Sequence, residues 1–253
     1  MKKFLGLLGD LWHAGGTGGL NWHVHAYSAS RAWLGTISEI ARFLQQVQPQ
    51  AHELVLVGAS AGWMMPPSWL SRFDRIDAYD IDPLAARLFR WRHGESLRAH
   101  GIALHMHRQD ALASLPELLQ RHPRACLWFD NLLGQHRYRV RDEARAEQEI
   151  TDLKHQLQGR NWGSVHDLYS GPTQHMAWAD RITTLTRAGV DAGQLNSQQA
   201  QTLLQDVGAK DVWSDHLTSQ VFAPGTPTTL IPWRFKDHHC HWLQAGWVQG
   251  RKL

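Results

Sequence analysis

The stretch ELVLVGASAGWMMPPSWLSRFDRIDAYDIDP, residues Glu53 to Pro83, decides the fold of this chain. Leu54 to Val57 is a short apolar run that stops at Gly58, which predicts a buried strand entering a turn. The turn GASAG, Gly58 to Gly62, carries no side chain larger than a hydroxymethyl group. Its backbone can therefore approach a ligand closely and can adopt positive φ at either glycine.

A second strand is predicted shortly after this turn. Pro66 and Pro67 can set the first turn of a helix over Ser68 to Phe73, and the strand Arg75 to Tyr79 follows. It ends at Asp80, 22 residues beyond Gly58 and close to the ~20-residue offset at which a dinucleotide fold places the carboxylate that binds a ribose. Strand, small-residue turn, helix, strand and acid together predict a βαβ unit for an adenosine-type cofactor.

Two other interpretations of the turn remain open from the residues alone. GASAG also spells GxSxG, the nucleophile elbow of serine hydrolases, and a small-residue turn can serve packing only. The hydrolase interpretation needs an acid and a histidine later in the chain, and it gives no role to Asp80. The cofactor interpretation accounts for both Asp80 and the proline-marked helix start, so we favour it.

Four motifs in order then resemble those of the class I S-adenosylmethionine-dependent methyltransferases: LVLVGASAGW, IDAYDIDPLAARLFRWR, HRQDAL and ACLWFDNLLGQ. The resemblance covers about Glu53 to Gln135. It implies an α/β fold, a doubly wound Rossmann-like sheet that is mostly parallel, with a C-terminal antiparallel hairpin, in three layers. It also implies S-adenosyl-L-methionine as the cofactor. By position, the residues that would bind it are Gly58, Ala59, Ser60, Gly62, Asp80, Ile81, Asp110 and Ala111.

The same resemblance assigns the reacting end of the site. The end of the fourth strand faces the transferred methyl group in that family, which makes Asp130 and Asn131 catalytic candidates. The segment before the first strand often forms a lid, and its candidates are His25 and Tyr27, with His23 and Arg31 as further lining residues. Two departures from the family pattern stand in the turn: Leu56 where an acid is usual, and Ser60 where a glycine is usual.

The remaining elements predict one globular domain, divided into a lid segment and helix over residues 1–50 and a methyltransferase-like domain over residues 51–253. Beyond the fourth strand we expect an exposed helix over 137–160, a fifth strand over 164–168, and helices over 173–188 and 197–207. The C-terminal hairpin is predicted from strands Asp211 to Phe222 and Thr228 to Phe235.

Composition excludes several classes of protein. A length of 253 residues suffices for one large α/β domain, and the apolar start MKKFLGLL is too short for a membrane span. Two distant cysteines, Cys126 and Cys240, are typical of a reducing cytoplasm. The net charge of +3 is mild and the cations are scattered, so composition does not point to nucleic acid. The end of the fourth strand also lacks the NPP-aromatic signature of methyltransferases that modify nucleic-acid amino groups.

A histidine-rich run, Asp237 to His241, has the composition of a metal site. In an extended chain His239 and His241 share one face and His238 and Cys240 the other, so a tetrahedral site would need ligands from elsewhere. We therefore assign no metal from sequence. The predicted function is methyl transfer from S-adenosylmethionine to a small molecule or peptide; the alternative is a non-catalytic binding module that keeps the fold.

Overall fold

The computed structural model describes residues 18–140, 142–172, 214–237 and 239–250. The chain divides into two compact units, Met1–Asp130 and Asn131–Leu253. Most of the N-terminal approach, the helices predicted over 173–188 and 197–207, and His238 lie outside the described residues. The predicted division into residues 1–50 and 51–253 stays a prediction.

The described part of the first unit alternates helices and strands. Its helices are α1 (Leu20–Ala29), α2 (Leu34–Gln46), α3 (Pro67–Leu70), α4 (Ala85–Ala99) and α5 (Leu115–Arg121). Its strands are β1 (Glu53–Val57), β2 (Arg75–Asp80), β3 (Ala103–Arg108) and β4 (Cys126–Asp130). The sequence also predicts a third strand over Ile102 to Met106 and a fourth over Ala125 to Phe129. All four predicted strands are present, each within two residues of its predicted ends. Helix α3 is shorter than the predicted Ser68 to Phe73.

The four strands of this unit are parallel and run in the order β3-β2-β1-β4. Leu54 of β1 pairs with Ile76 on one side and with Cys126 on the other. Leu54 to Val57 are completely buried, as expected for a central parallel strand covered on both faces. Their β-branched and leucine side chains thus supply the middle of the apolar core.

Helix α2 packs by its amphipathic face. Thr36, Ile40 and Leu44 are buried and recur every four residues, so they form a single stripe along the helix. Its last carbonyls, those of Leu44 and of Val47 just beyond it, accept hydrogen bonds from the guanidinium of Arg72 at 3.1 and 2.8 Å. A cation at a helix C-terminus satisfies these groups and complements the helix dipole.

The second unit carries antiparallel strands. Its elements are a 3₁₀ turn (Leu133–Gln135), α6 (His136–Val140), α7 (Glu143–Gln156), β5 (Trp162–Pro172), β6 (Ser214–Asp215), β7 (Thr228–Lys236) and β8 (His239–Val248). Strand β8 lies between β5 and β7 and is antiparallel to both, while β6 pairs with β5. Two helices, α6 and α7, replace the single exposed helix expected over 137–160.

The predicted partner within the C-terminal hairpin was wrong. Strand β7 pairs with β8, as in Ile231 opposite Leu243, and not with a strand over residues 211–222. Of that predicted strand, the described residues extend only at Ser214–Asp215, and the following residues form turns that bury Val221. The ten-residue β8, with six consecutive buried residues from Trp242 to Trp247, offers β7 a longer and more apolar ladder.

The predicted fold class is confirmed. The fold is α/β, with parallel strands in the first unit, C-terminal antiparallel strands in the second, and helices flanking the strands. None of the described helices has both the length and the apolar character needed to span a membrane.

Candidate functional site

The GASAG turn adopts the backbone that its composition allows. Gly58, Ser60 and Gly62 have φ of +74°, +46° and +63°, so every second residue is left-handed. Ser60 is strained there, because an L-residue in this region costs about 1–2 kcal/mol relative to glycine. The amide groups of Gly58 and Ala59 both donate to the carbonyl of Tyr79, at 2.9 and 3.3 Å, which fixes the turn against the end of β2.

Asp80 connects the turn to the end of β2. One carboxylate oxygen accepts from the amide of Ser60 at 2.6 Å, and the other accepts from the amide of Asp82 at 2.8 Å. Burial raises the pKa of Asp80, although these two amides act in the opposite direction. A carboxylate has about four acceptor positions, so two remain for further donors after these bonds.

Asp130 ends β4, and its carboxyl group lacks the hydrogen bonds described for Asp80. The residue as a whole is half-buried, but its Oδ1 is buried and has no hydrogen-bond partner among the described residues. Burial, with a smaller contribution from the negative charge of Asp80, raises its pKa to about 7. A buried polar atom without a partner is uncommon and calls for a functional explanation.

Helix α1 lies against the turn through two polar contacts. The indole N–H of Trp22 donates to Oγ of Ser60 at 3.0 Å. His23 is buried; its Nδ1 accepts from the indole of Trp63 at 3.0 Å, so Nε2 carries a proton and donates to Asp82 at 2.9 Å. The pKa of Asp82 is lowered: burial acts to raise it, but His23 and the amides of Gly19 and Leu84 outweigh burial.

The two lid residues predicted to be catalytic occupy other positions. His25 packs edge-on against Trp33, with ring centroids 5.6 Å apart. Tyr27 is 63% exposed and contacts the rings of Trp63 and Trp91. The structure thus brings His23, and not these two residues, into the network at the turn. His23 and His25 lie on different faces of α1, but the sequence does not say which face packs on the turn; Tyr27, four residues after His23, lies on the same side of the helix as His23.

Asp110 and its neighbours form a capped turn. Oδ1 of Asp110 accepts from the amides of Leu112 and Ala113 at 3.1 and 3.2 Å. The helix that follows, α5, begins at Leu115 and not at Ala111, because residues 111–114 are held in this turn. Ala111 is buried, whereas Ile81, the other neighbour predicted to bind cofactor, is 45% exposed.

The turn does not form a hydrolase triad among the described residues. The hydroxyl of Ser60 is engaged by an indole N–H and its backbone amide by Asp80. A serine nucleophile would need a histidine base within hydrogen-bond reach of Oγ. The packing interpretation has partial support, because a Cβ added to Gly62 would lie 2.6 Å from Nε2 of His93.

Asn131, the other catalytic candidate, begins the second unit and is engaged there. It has φ of +52°, and its backbone N–H donates to the carbonyl of Val165 at 2.8 Å. Its side-chain oxygen accepts from the amide of Asp167 at 3.1 Å. In the described contacts its side chain therefore positions β5.

The architecture identifies the fold. A parallel order β3-β2-β1-β4 is that of a doubly wound Rossmann-like sheet, and the chain finishes with an antiparallel hairpin. The chain has a doubly wound, Rossmann-like α/β fold. In that fold the ligand crevice lies at the carboxyl ends of the strands, where the order changes direction on either side of β1.

Solved structures with the same architecture include methyltransferases of several kinds. One is a SAM-dependent methyltransferase from Anabaena variabilis, at 11% identity over 91% of this chain and 93% of that chain, with a TM-score of 0.45. Another is magnesium protoporphyrin IX methyltransferase from Synechocystis with bound SAH, at 14% identity over 96% and 94%, TM-score 0.43. A third is the N-methyltransferase NodS from Bradyrhizobium japonicum with SAH, at 11% identity over 98% and 100%, TM-score 0.41. No protein-family model matches the sequence, and no curated protein matches it.

Proposed function

We propose that this chain is an S-adenosylmethionine-dependent methyltransferase that acts on a small molecule or a peptide. The observation that carries the proposal is the carboxyl of Asp130 at the end of β4: its Oδ1 is buried without a hydrogen-bond partner among the described residues, and burial raises its pKa to about 7. A buried acid without a partner is costly unless it meets a cationic or proton-donating ligand.

The position of these residues supports a ligand crevice in the first unit. After β1 the chain continues to β2 and β3 on one side of β1, and it then returns to β4 on the other side. The point where the strand order changes direction therefore lies between β1 and β4. The GASAG turn follows β1 and Asp130 ends β4, both at this switch point. Asp80 ends the neighbouring β2.

The residues present fit an adenosine-type cofactor. Asp80 keeps acceptor positions that two ribose hydroxyls can use, and Asp130 offers an uncompensated oxygen to a cationic group. Leu56 is buried in β1 and cannot take the role of the missing acid. In our proposal Asp130 therefore replaces the missing acid, and its carboxylate attracts a cationic group of the cofactor. When bound, the cofactor supplies a methyl group on a sulfonium that already contains its leaving group.

The protein's own contribution would be positioning and proton transfer. A carboxyl with a pKa of about 7 is well matched to accept a proton from an acceptor hydroxyl or amine near neutral pH. Helix α1, held by Trp22 and His23, would keep water from the turn. Holding the nucleophile within about 3–3.5 Å of the methyl carbon would provide most of the rate. The buried free thiols of Cys126 and Cys240 fit the proposed cytoplasmic location.

One observation favours the alternative of a binding module without catalysis. Trp22 places its indole nitrogen 3.0 Å from Ser60, so an aromatic side chain of α1 lies on the turn that would receive the cofactor. Binding of a cofactor would then require α1 to move, or the site would serve another ligand.

Calorimetry with S-adenosylhomocysteine tests the proposal. We expect heat on binding and a rise in melting temperature for the native chain. Asp80→Asn should weaken binding by ~10-fold or more, because hydrogen bonds to a charged group contribute about 1.5–3 kcal/mol each. The matched control is Asp74→Asn, since Asp74 precedes β2 and its side chain is 83% exposed; its affinity should equal that of the native chain.

Two results would contradict the proposal at different levels. A folded protein that gives neither heat nor a thermal shift at saturating ligand does not bind the cofactor. Binding without methyl transfer to any member of a diverse panel of amines, hydroxyls, thiols and peptides would favour the binding module. Equal affinity of Asp80→Asn and Asp74→Asn would assign Asp80 a structural role only.

A further inference from the structure

Three chemistry-bearing side chains meet in the second unit. They are Asp167 on β5, His216 just after β6, and His241 on β8. One possible ligand atom from each lies within 4.8 Å of the other two. Asp167 and His216 are buried, and the side chain of His241 is only 12% exposed.

The antiparallel strands create this cluster. Strand β8 runs beside β5 with Ser170 opposite His241, and an irregularity between Asp167 and Tyr169 shifts the register. The amide of His216 donates to the carbonyl of Leu168 at 3.1 Å, which fixes the third member beside the same part of β5. Each ligand candidate is thus held by a different strand or strand end of one sheet.

The hydrogen bonds of His216 leave a ring nitrogen suited to a metal. Its Nδ1 lies 2.7 Å from the carbonyl of Gly134, which can only accept, so Nδ1 carries the proton. With that proton on Nδ1, Nε2 of the neutral tautomer has a lone pair. The hydroxyl of Ser170 lies 2.8 Å from Nε2 and can rotate away from a competing ion. A histidine whose other nitrogen donates to a carbonyl is the usual arrangement at metal sites.

His241 provides the second observation. Its Nδ1 lies 2.8 Å from Oδ1 of Asp167, so a cation that replaces the shared proton can bind both atoms. Its Nε2 is buried and has no hydrogen-bond partner among the described residues.

The backbone of Asp167 is fixed from both sides. The hydroxyl of Thr218 donates to its carbonyl at 2.7 Å, and Asn131 accepts from its amide at 3.1 Å. Burial acts to raise the pKa of Asp167, but the two histidines and the Asn131 amide lower it below its ordinary value.

We propose that Asp167, His216 and His241 form a binding site for a divalent transition-metal cation of the zinc class. Two imidazoles and one carboxylate suit such ions, whereas Mg²⁺ and Ca²⁺ prefer all-oxygen ligands. Three protein ligands leave a position for water or substrate, which is typical of reactive and not of closed structural zinc sites. The site is independent of the methyl transfer proposed for the first unit.

The proposal also explains which part of the histidine-rich run matters. His241 faces the cluster, while Cys240 is buried on the opposite face and burial raises the pKa of its thiol to about 11. A thiol of that pKa remains protonated and is a poor ligand. The two further ligands, Asp167 and His216, come from other parts of the chain.

Metal binding by the full chain tests this site. Chelator-treated protein is dialysed against Zn²⁺ and the bound metal is measured by mass spectrometry, with Co²⁺ absorption as a report on the ligands. We expect one bound ion per protein chain. His216→Gln and His241→Gln should lower the affinity by ~100-fold or more, since loss of even a supporting residue costs ~10–100-fold. The isosteric Asp167→Asn should lower it by ~10-fold or more.

Two controls separate ligation from folding. Ser170→Ala removes a hydroxyl of the same cluster that is not a ligand, and His105→Gln changes an exposed histidine of β3; both should keep the affinity of the native chain. Thermal unfolding identifies variants that fail to fold. If both histidine variants fail, the metal affinity of Asp167→Asn decides the question, because this substitution preserves the shape of the side chain. A native chain that binds neither Zn²⁺ nor Co²⁺, or binding that survives all three ligand changes, would overturn the proposal.

Discussion

Replacing Asp130 by asparagine should remove a pH-dependent loss of stability from the native protein. The substitution keeps the shape of the side chain and removes its charge. In the folded chain the pKa of Asp130 is raised from 3.8 to about 7, chiefly by burial. A rise of about 3 pH units corresponds to roughly 4 kcal/mol in the free energy of unfolding.

The sign follows from proton binding in the two states. Between the unfolded and folded pKa values the folded protein holds a proton that the unfolded chain has released, so stability falls as the pH rises toward 7. Above the folded pKa the carboxylate is buried with its charge, and no further loss occurs. From about pH 5.5 to about pH 8 the native protein should lose roughly 2 kcal/mol through this residue.

Urea unfolding of the native chain and Asp130→Asn at these two pH values measures the effect. The variant should gain roughly 2 kcal/mol relative to the native chain over that interval. The control is Asp237→Asn, which changes a carboxyl that is 85% exposed and should leave the pH profile as it is. A difference between native and Asp130→Asn proteins that is the same at both pH values would refute the argument that burial controls this carboxyl.

Two further predictions concern the turn and helix α1. Gly62→Ala should destabilise by about 2–5 kcal/mol in urea, since φ of +63° costs about 1–2 and the new Cβ would lie 2.6 Å from Nε2 of His93. His23→Ala should cost about 2–3 kcal/mol and expose α1 to proteolysis, because Asp82 loses a charge-assisted partner at 2.9 Å. If His23→Ala leaves proteolysis unchanged, the contact does not hold α1.

Each of these has a matched control within the chain. Gly101 has φ of +71° and open space around its Cβ position, so Gly101→Ala reports the backbone cost alone, about 1–2 kcal/mol. Equal losses at Gly62 and Gly101 would show that the His93 contact carries no energy. His25→Ala changes a histidine two positions along the same helix whose ring packs on Trp33, and it should cost less than about 1 kcal/mol.

The strands of the first unit could be predicted from sequence because their signals are local. An apolar run that stops at Gly58, and the segment Arg75 to Tyr79 that stops at Asp80, mark strands and their carboxyl ends within a residue or two. Positive φ at Gly58 and Gly62 was likewise expected from the absence of side chains. The fold class follows from the order of these signals, since strands that alternate with helices form parallel sheets.

Only the tertiary structure decided which distant groups meet. No local pattern distinguishes His23 from His25 as the partner of Asp82, because that choice depends on the face of α1 that packs on the turn. Likewise β7 pairs with β8 and not with residues 211–222, since strand pairing is set by burial and ladder length across the unit. Asp167, His216 and His241 are separated by 49 and 25 residues in sequence, and only the antiparallel register of β5 and β8 brings them within 4.8 Å.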